Sequence, residues 1–211
     1  LAAAEQAAVL VAAVLLGELA AFTFGTSAGR GHGYLSLRRS GLRGAHWLVG
    51  EILPRGQQQL PEIALHLVGA DAAESVQALG RQPGVRFHGH VPDLDALLDR
   101  RRLSVAPLRF GAGIKGKVNQ GMASGLPMVA TPCAVEGMFV RDGEDALVAD
   151  GAEAFADAII RLCRDEALWQ RLQAGGFANT QRHFSPDAAR EVLVPWLDAL
   201  PRRARWTPAS G

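Results

Sequence analysis

Two lysines set among glycines carry the strongest chemical signal in the chain: Gly111 to Lys117 reads GAGIKGK. Glycine lets backbone amides approach an anion closely, lysine adds positive charge, and a helix N-terminus adds its dipole. The flanking run supplies that helix. Leu103, Val105 and Ala106 have the pattern of a buried strand before the loop, a helix-like segment follows it, and Met128 to Ala130 form a short apolar strand beyond. The run predicts a phosphate-binding device.

Two familiar phosphate motifs almost fit. Gly111, Gly113 and Gly116 satisfy G-x-G-x-x-G, with Glu136 about twenty residues on, as in dinucleotide-binding folds. That fingerprint lies in the second half of the chain, and Glu136 falls beyond the end of the next strand rather than at it. Gly111 to Lys117 also matches most of a P-loop, but Val118 stands where a Ser or Thr must hold magnesium. Triphosphate hydrolysis is therefore disfavoured. An NAD-binding oxidoreductase domain remains as an alternative resting on the weak fingerprint.

The elements around the loop predict the scaffold. Apolar runs near 64–68, 85–87, 103–106, 127–130 and 146–148 read as strands, and 72–80, 93–100 and 116–124 between them read as helices. Short strands alternating with helices predict an α/β fold, a Rossmann-like parallel sheet with helices on both faces. Its ligand site belongs at the carboxyl ends of the strands, where the loops after Gly69, Phe87, Pro107 and Thr131 converge. Asp93 and Ser185-Pro186 read as helix starts, the second opening a helical C-terminal tail.

Several segments in order resemble the C-terminal, nucleotide-sugar-binding half of GT-B glycosyltransferases, family 4. They are ALHLVG at Ala64 to Gly69, VRFHGHVPDL from Val85, PLRFGAGIKGK from Pro107, GMASGLPMVAT from Gly121, Glu136-Gly137-Met138, and DGEDALVAD from Asp142. The resemblance covers about Trp47 to Leu200. It implies transfer of a sugar from a nucleoside diphosphate sugar to a glycan or lipid-linked acceptor, in cell-envelope polysaccharide synthesis, by a retaining enzyme that needs no metal or other cofactor. It implies catalytic roles for Lys115 and Glu136. Donor contacts fall to Arg109, Gly111, Gly113, Lys117 and Gln120, and to His90 and Val91 at the base. Many family members carry a Glu-x7-Glu pair here. This chain has Ala112 and Gln120 instead, so an amide replaces the carboxylate expected on the ribose. For Lys117 an exposed helix lysine, for Arg109 a surface ion pair and for Glu136 a solvated loop carboxylate are the competing readings. Among other classes, a non-catalytic nucleotide-sugar-binding module and a GT-B epimerase also compete.

Bulk properties exclude more than they assign. A net charge of +1 over 211 residues and few aromatics argue against nucleic acid as a partner. Cys133 and Cys163 form no disulfide framework, and a cytoplasmic location is expected, at the inner membrane face if an acceptor domain docks there. The expected organisation is an atypical segment over 1–44, a donor domain over 45–200 and a short basic tail over 201–211. Leu1 to Phe24 reads as an alanine-rich helix, with Phe22 to Gly25 a poor substitute for the family's first strand. Gly25 to Gly44 reads as loop or disorder. The family's acceptor domain does not precede this half, so a truncated chain or an altered reading frame upstream of about Gly44 is expected.

Overall fold

The computed structural model describes residues 14–15, 42–69, 72–111 and 113–199. Six strands lie among the described residues: β1 (Val14–Leu15), β2 (Leu65–Val68), β3 (Val85–Gly89), β4 (Ser104–Ala106), β5 (Met128–Ala130) and β6 (Leu147–Val148). All pair in parallel, as β1-β2-β3 and β4-β5-β6. β1 also lies beside β4, so the two parallel sheets meet there, and in folds of this class ligands sit outside the carboxyl ends of the strands.

Helices cover both faces. A helix α1 over 42–47 runs through a π-turn (Leu48–Ile52) into α2 (Leu53–Gln59). Then come α3 (Glu74–Leu79), α4 (Leu94–Leu98), α5 (Gly116–Ala123), α6 (Pro132–Val135), α7 (Ala152–Arg164), α8 (Glu166–Phe184) and α9 (Pro186–Asp198). Strand alternation decides which side chains meet which helices. Val105, Val129 and Leu147 join Ile52, Leu53, Phe155 and Ile159 in one core, under α2 and α7. Ala106, Met128 and Ala130 point the other way and pack with Val118 and Met122 of α5. Continuous burial along β2, β4 and β5 is the mark of strands covered twice.

The expected helix starts hold. Asp93 accepts from the Ala96 amide and Ser185 from the Ala188 amide, each satisfying a free N–H of the first turn. Helix α8 can press against the 141–145 turn because residue 175 is glycine; a Cβ there would overlap the Glu144 carbonyl.

Two N-terminal expectations need correction. Val14 and Leu15 are strand, not helix: parallel bonds to Leu67 and Val68 override the helical preference of an alanine-rich run. Residues 42–44 are helical rather than loop, because Ala45, Trp47 and Leu48 on the same segment bury against the sheet. Phe22 to Gly25, Ala70, Asp71, Ala112 and the basic tail lie outside the described residues.

Candidate functional site

At the carboxyl end of β4 the chain enters the loop from Pro107 to Lys115. Gly111 (φ 144°) and Gly113 (φ 79°) occupy backbone conformations that side-chain-bearing residues rarely adopt. A Cβ at either position would meet no atom within 4 Å. These glycines therefore serve backbone shape rather than close packing.

Three contacts from the β5–β6 connection hold the loop. The Thr131 hydroxyl donates to the Leu108 carbonyl, with the Ala106 carbonyl 3.4 Å away. The Cys133 thiol lies 3.7 Å from the Gly111 carbonyl. The Lys115 amide donates to Met138 Sδ at 3.4 Å. Thr131, at 2% exposure, and Met138, fully buried, both lie inside the protein. Sequence reasoning gave none of the three this supporting role. The one signal it had was a threonine closing a buried strand, where its hydroxyl must find a partner inside the protein.

Lys115 forms the N-cap of α5 and is only 5% exposed. Its Nζ is enclosed, and no partner among the described residues accepts from it. Burial of a lysine amino group with no acceptor is costly. Two turns of α5 carry the rest of the cluster. Lys117 is half-buried, and burial pushes its ammonium down to about 8. Gln120 has its Oε1 enclosed without a partner, as does the neighbouring Asn119 with its Oδ1. The open lysine amino group beside a glycine loop and helix N-terminus suits an anion, whereas the open amide oxygens of Asn119 and Gln120 suit hydroxyl donors.

The remaining predicted residues lie around this centre. Glu136 is exposed at the end of α6, two residues before the Met138 sulfur that receives the Lys115 amide bond. His90 is exposed and Val91 half-buried just past β3, in the other three-stranded sheet from the one that carries the loop. Arg109 is exposed, but its guanidinium lies 4.9 Å from the centre of the Trp47 ring, a cation–π contact rather than the surface ion pair that was its alternative. The structure thus brings Gly111, Gly113, Lys115, Lys117 and Gln120 together around one loop and helix, with Glu136 tied in through Met138.

A second basic cluster sits on β2 and β3. His66, 1% exposed, shares a hydrogen bond from its Nδ1 to His88 Nε2 at 2.8 Å, and their rings stack at 4.9 Å. Arg101 Nη1 lies 3.4 Å from His66 Nε2. Arginine can only donate, so Nε2 must accept, His66 carries its proton on Nδ1, and His88 Nε2 accepts in turn. Burial, then Arg101, then His88 and Arg86 push the His66 imidazolium down to about 4. Among the described residues no group of His, Cys, Asp and Glu side chains could hold a metal ion, and no helix is long and apolar enough to cross a membrane.

Parallel sheets covered by helices on both faces, with a glycine loop, an enclosed lysine and a helix N-terminus after β4, define a Rossmann-like α/β domain. The sequence pattern of the glycosyl transferases group 1 family matches residues 35–165, and the chain belongs to that family, as the C-terminal half of a GT-B fold. It is 30% identical over 149 residues to a phosphatidyl-myo-inositol mannosyltransferase of Mycobacterium leprae (strain TN), covering 68% of this chain and 40% of that protein. It is 27% identical over 166 residues to the lipopolysaccharide core biosynthesis glycosyltransferase LpsE of Rhizobium meliloti (strain 1021), covering 75% and 47%. The fold matches Anabaena HepE, solved with UDP and glucose, with TM-score 0.59, 17% identity and coverage of 71% of this chain and 44% of that one. The chain spans less than half the length of each of these proteins.

Proposed function

We propose that this chain is the donor-binding half of a retaining glycosyltransferase that moves a hexose from a nucleoside diphosphate sugar to a glycan or lipid-linked acceptor. The observation that carries the proposal is the enclosed, unpartnered Lys115 Nζ at the N-terminus of α5, beside the Gly111–Gly113 backbone. As the anomeric bond breaks, negative charge gathers on the departing diphosphate. Donors fixed in place before the reaction stabilise that charge without reorganising, which is often the largest catalytic contribution. Lys115 and the loop amides supply them, with Lys117 along the helix and Arg109 at the loop's outer edge. The open Gln120 amide takes a ribose hydroxyl, the backbone of His90 and Val91 meets the base, and Glu136 meets the sugar. Lysine and helix dipole supply the positive charge, so this scheme needs no metal.

Acceptor recognition and full turnover belong to the cleft formed with the rest of the protein. The mannosyltransferase and lipopolysaccharide-core names of the relatives favour cell-envelope glycan assembly at the cytoplasmic face of the inner membrane.

Thermal melting of the chain with UDP, GDP, ADP and NAD, repeated on Lys115→Ala, tests the reading, since a ligand specific to the native state raises its melting temperature. The expected result is a rise with one nucleoside diphosphate that Lys115→Ala abolishes. A rise with NAD alone overturns it.

A further inference from the structure

Phe139 is the one described non-glycine residue with positive φ, at 56°. A bulky side chain rarely adopts this conformation, and where it does the surrounding structure enforces it, most often beside a functional site. Here the enforcement comes from α8. Asn179, 5% exposed, donates its side-chain N–H to the Phe139 carbonyl at 2.8 Å. One turn on, His183 stacks on the Phe139 ring, with centres 4.4 Å apart and planes 17° apart. Because the ring itself is 63% exposed, hydrophobic burial does not explain its placement. What the grip fixes is the backbone immediately before it: Met138, whose sulfur receives the Lys115 amide, and Glu136.

Resting on the donor-site reading, we propose that Asn179 is a positioning residue for that site. By holding the strained Phe139 turn through its carbonyl, Asn179 sets Met138 against Lys115 and Glu136 beside the glycine loop. α8 thereby reaches the loop although it contributes no side chain to the anion site. A turn released from Asn179 would relax toward the more common backbone regions, carrying Met138 away from the Lys115 amide.

The logic of strain gives a rescue. Glycine adopts positive φ without penalty, so Phe139→Gly lets the turn keep its shape without the Asn179 hold. The test compares wild type, Asn179→Ala and the Asn179→Ala/Phe139→Gly double variant of the full chain. It uses two readouts: hydrogen exchange at the Lys115 amide relative to β5 amides, and affinity for UDP, GDP and ADP by calorimetry. Asn179→Ala is expected to speed Lys115 exchange and weaken the bound nucleotide, each by about tenfold, and the double variant to recover most of both. A mere packing role for Asn179 would not be rescued by removing a ring elsewhere. Unchanged Lys115 exchange in Asn179→Ala, or a double variant no better than the single one, overturns the proposal. If wild type binds none of the three nucleotides, the donor-site reading falls, and the exchange comparison still decides the positioning role.

Discussion

The two basic clusters of this sheet handle positive charge in opposite ways. On β2 and β3, Arg101 donates to His66 and His66 to His88, so the polar atoms of the pair satisfy one another and both imidazoles are biased toward neutrality. After β4, Lys115 and Gln120 keep enclosed polar atoms with no partner among the described residues. A protein that can neutralise one cluster through hydrogen-bonded histidines has the means to neutralise the other. Arg101 Nε and Asn179 Oδ1 are enclosed without a partner as well, so what sets the second cluster apart is the glycine loop and helix N-terminus beside Lys115, the setting that suits an external anion.

The comparison breaks hardest under acid. His66 has a folded value near 4 against an ordinary 6.5, so between those values the unfolded chain binds more protons than the folded one. Stability contributed by neutral His66 is therefore complete above about pH 6.5 and is lost as pH falls toward 4. The gap corresponds to about 3 kcal/mol. Chemical denaturation at a series of pH values should show this slope in the wild type and a flatter one in His66→Gln. Parallel slopes would mean that the histidine chain does not titrate with unfolding.

The opposite behaviour is expected at the other cluster. Lys115→Met replaces an enclosed, unpartnered amino group with an apolar chain of similar length. The ligand-free protein should be stabilised by about 1 kcal/mol, or roughly 3 °C in melting temperature. Stabilisation by nucleoside diphosphate should disappear at the same time. A lower melting temperature for ligand-free Lys115→Met would show that Lys115 has a structural partner, and the contrast between the clusters would fail.

Much of this fold was legible because its strands are short apolar runs bounded by glycine or proline and its helices carry their own caps. Asp93 and Ser185 mark helix starts, and the glycine loop lies where the apolar run before it places it, at the end of β4. Other features left no local trace. Val14 and Leu15 pair as strand only because β2 presents an open edge to them. Thr131, Met138 and Asn179 act on residues 23 to 40 positions away in the chain, distances over which neither periodicity nor spacing carries information. The same holds for Arg109: nothing near it in sequence foretold that Trp47 would be its partner. Residue types pointed to the loop, whereas the contacts that hold it are tertiary.

Lys117 allows the finest test of which cluster awaits an anion. Burial brings its ammonium down to about 8 from an ordinary 10.5. Between these values the unfolded chain holds more protons, so this group's contribution to stability grows as pH rises through that window. Ligand binding should run the other way. Nearby phosphate favours the charged form, so nucleoside diphosphate affinity should fall as pH rises above about 8, by at most about tenfold per pH unit. The phosphate's own titration, near 6 for a phosphate monoester, is already complete there and adds no slope. Lys117→Arg keeps the charge throughout, because a guanidinium does not titrate in this range. Calorimetry with UDP, GDP and ADP at pH 7, 8 and 9 should therefore give a falling affinity in wild type and a level one in Lys117→Arg. Level profiles in both would remove Lys117 from the phosphate contacts and leave Lys115 with the loop amides to hold the diphosphate.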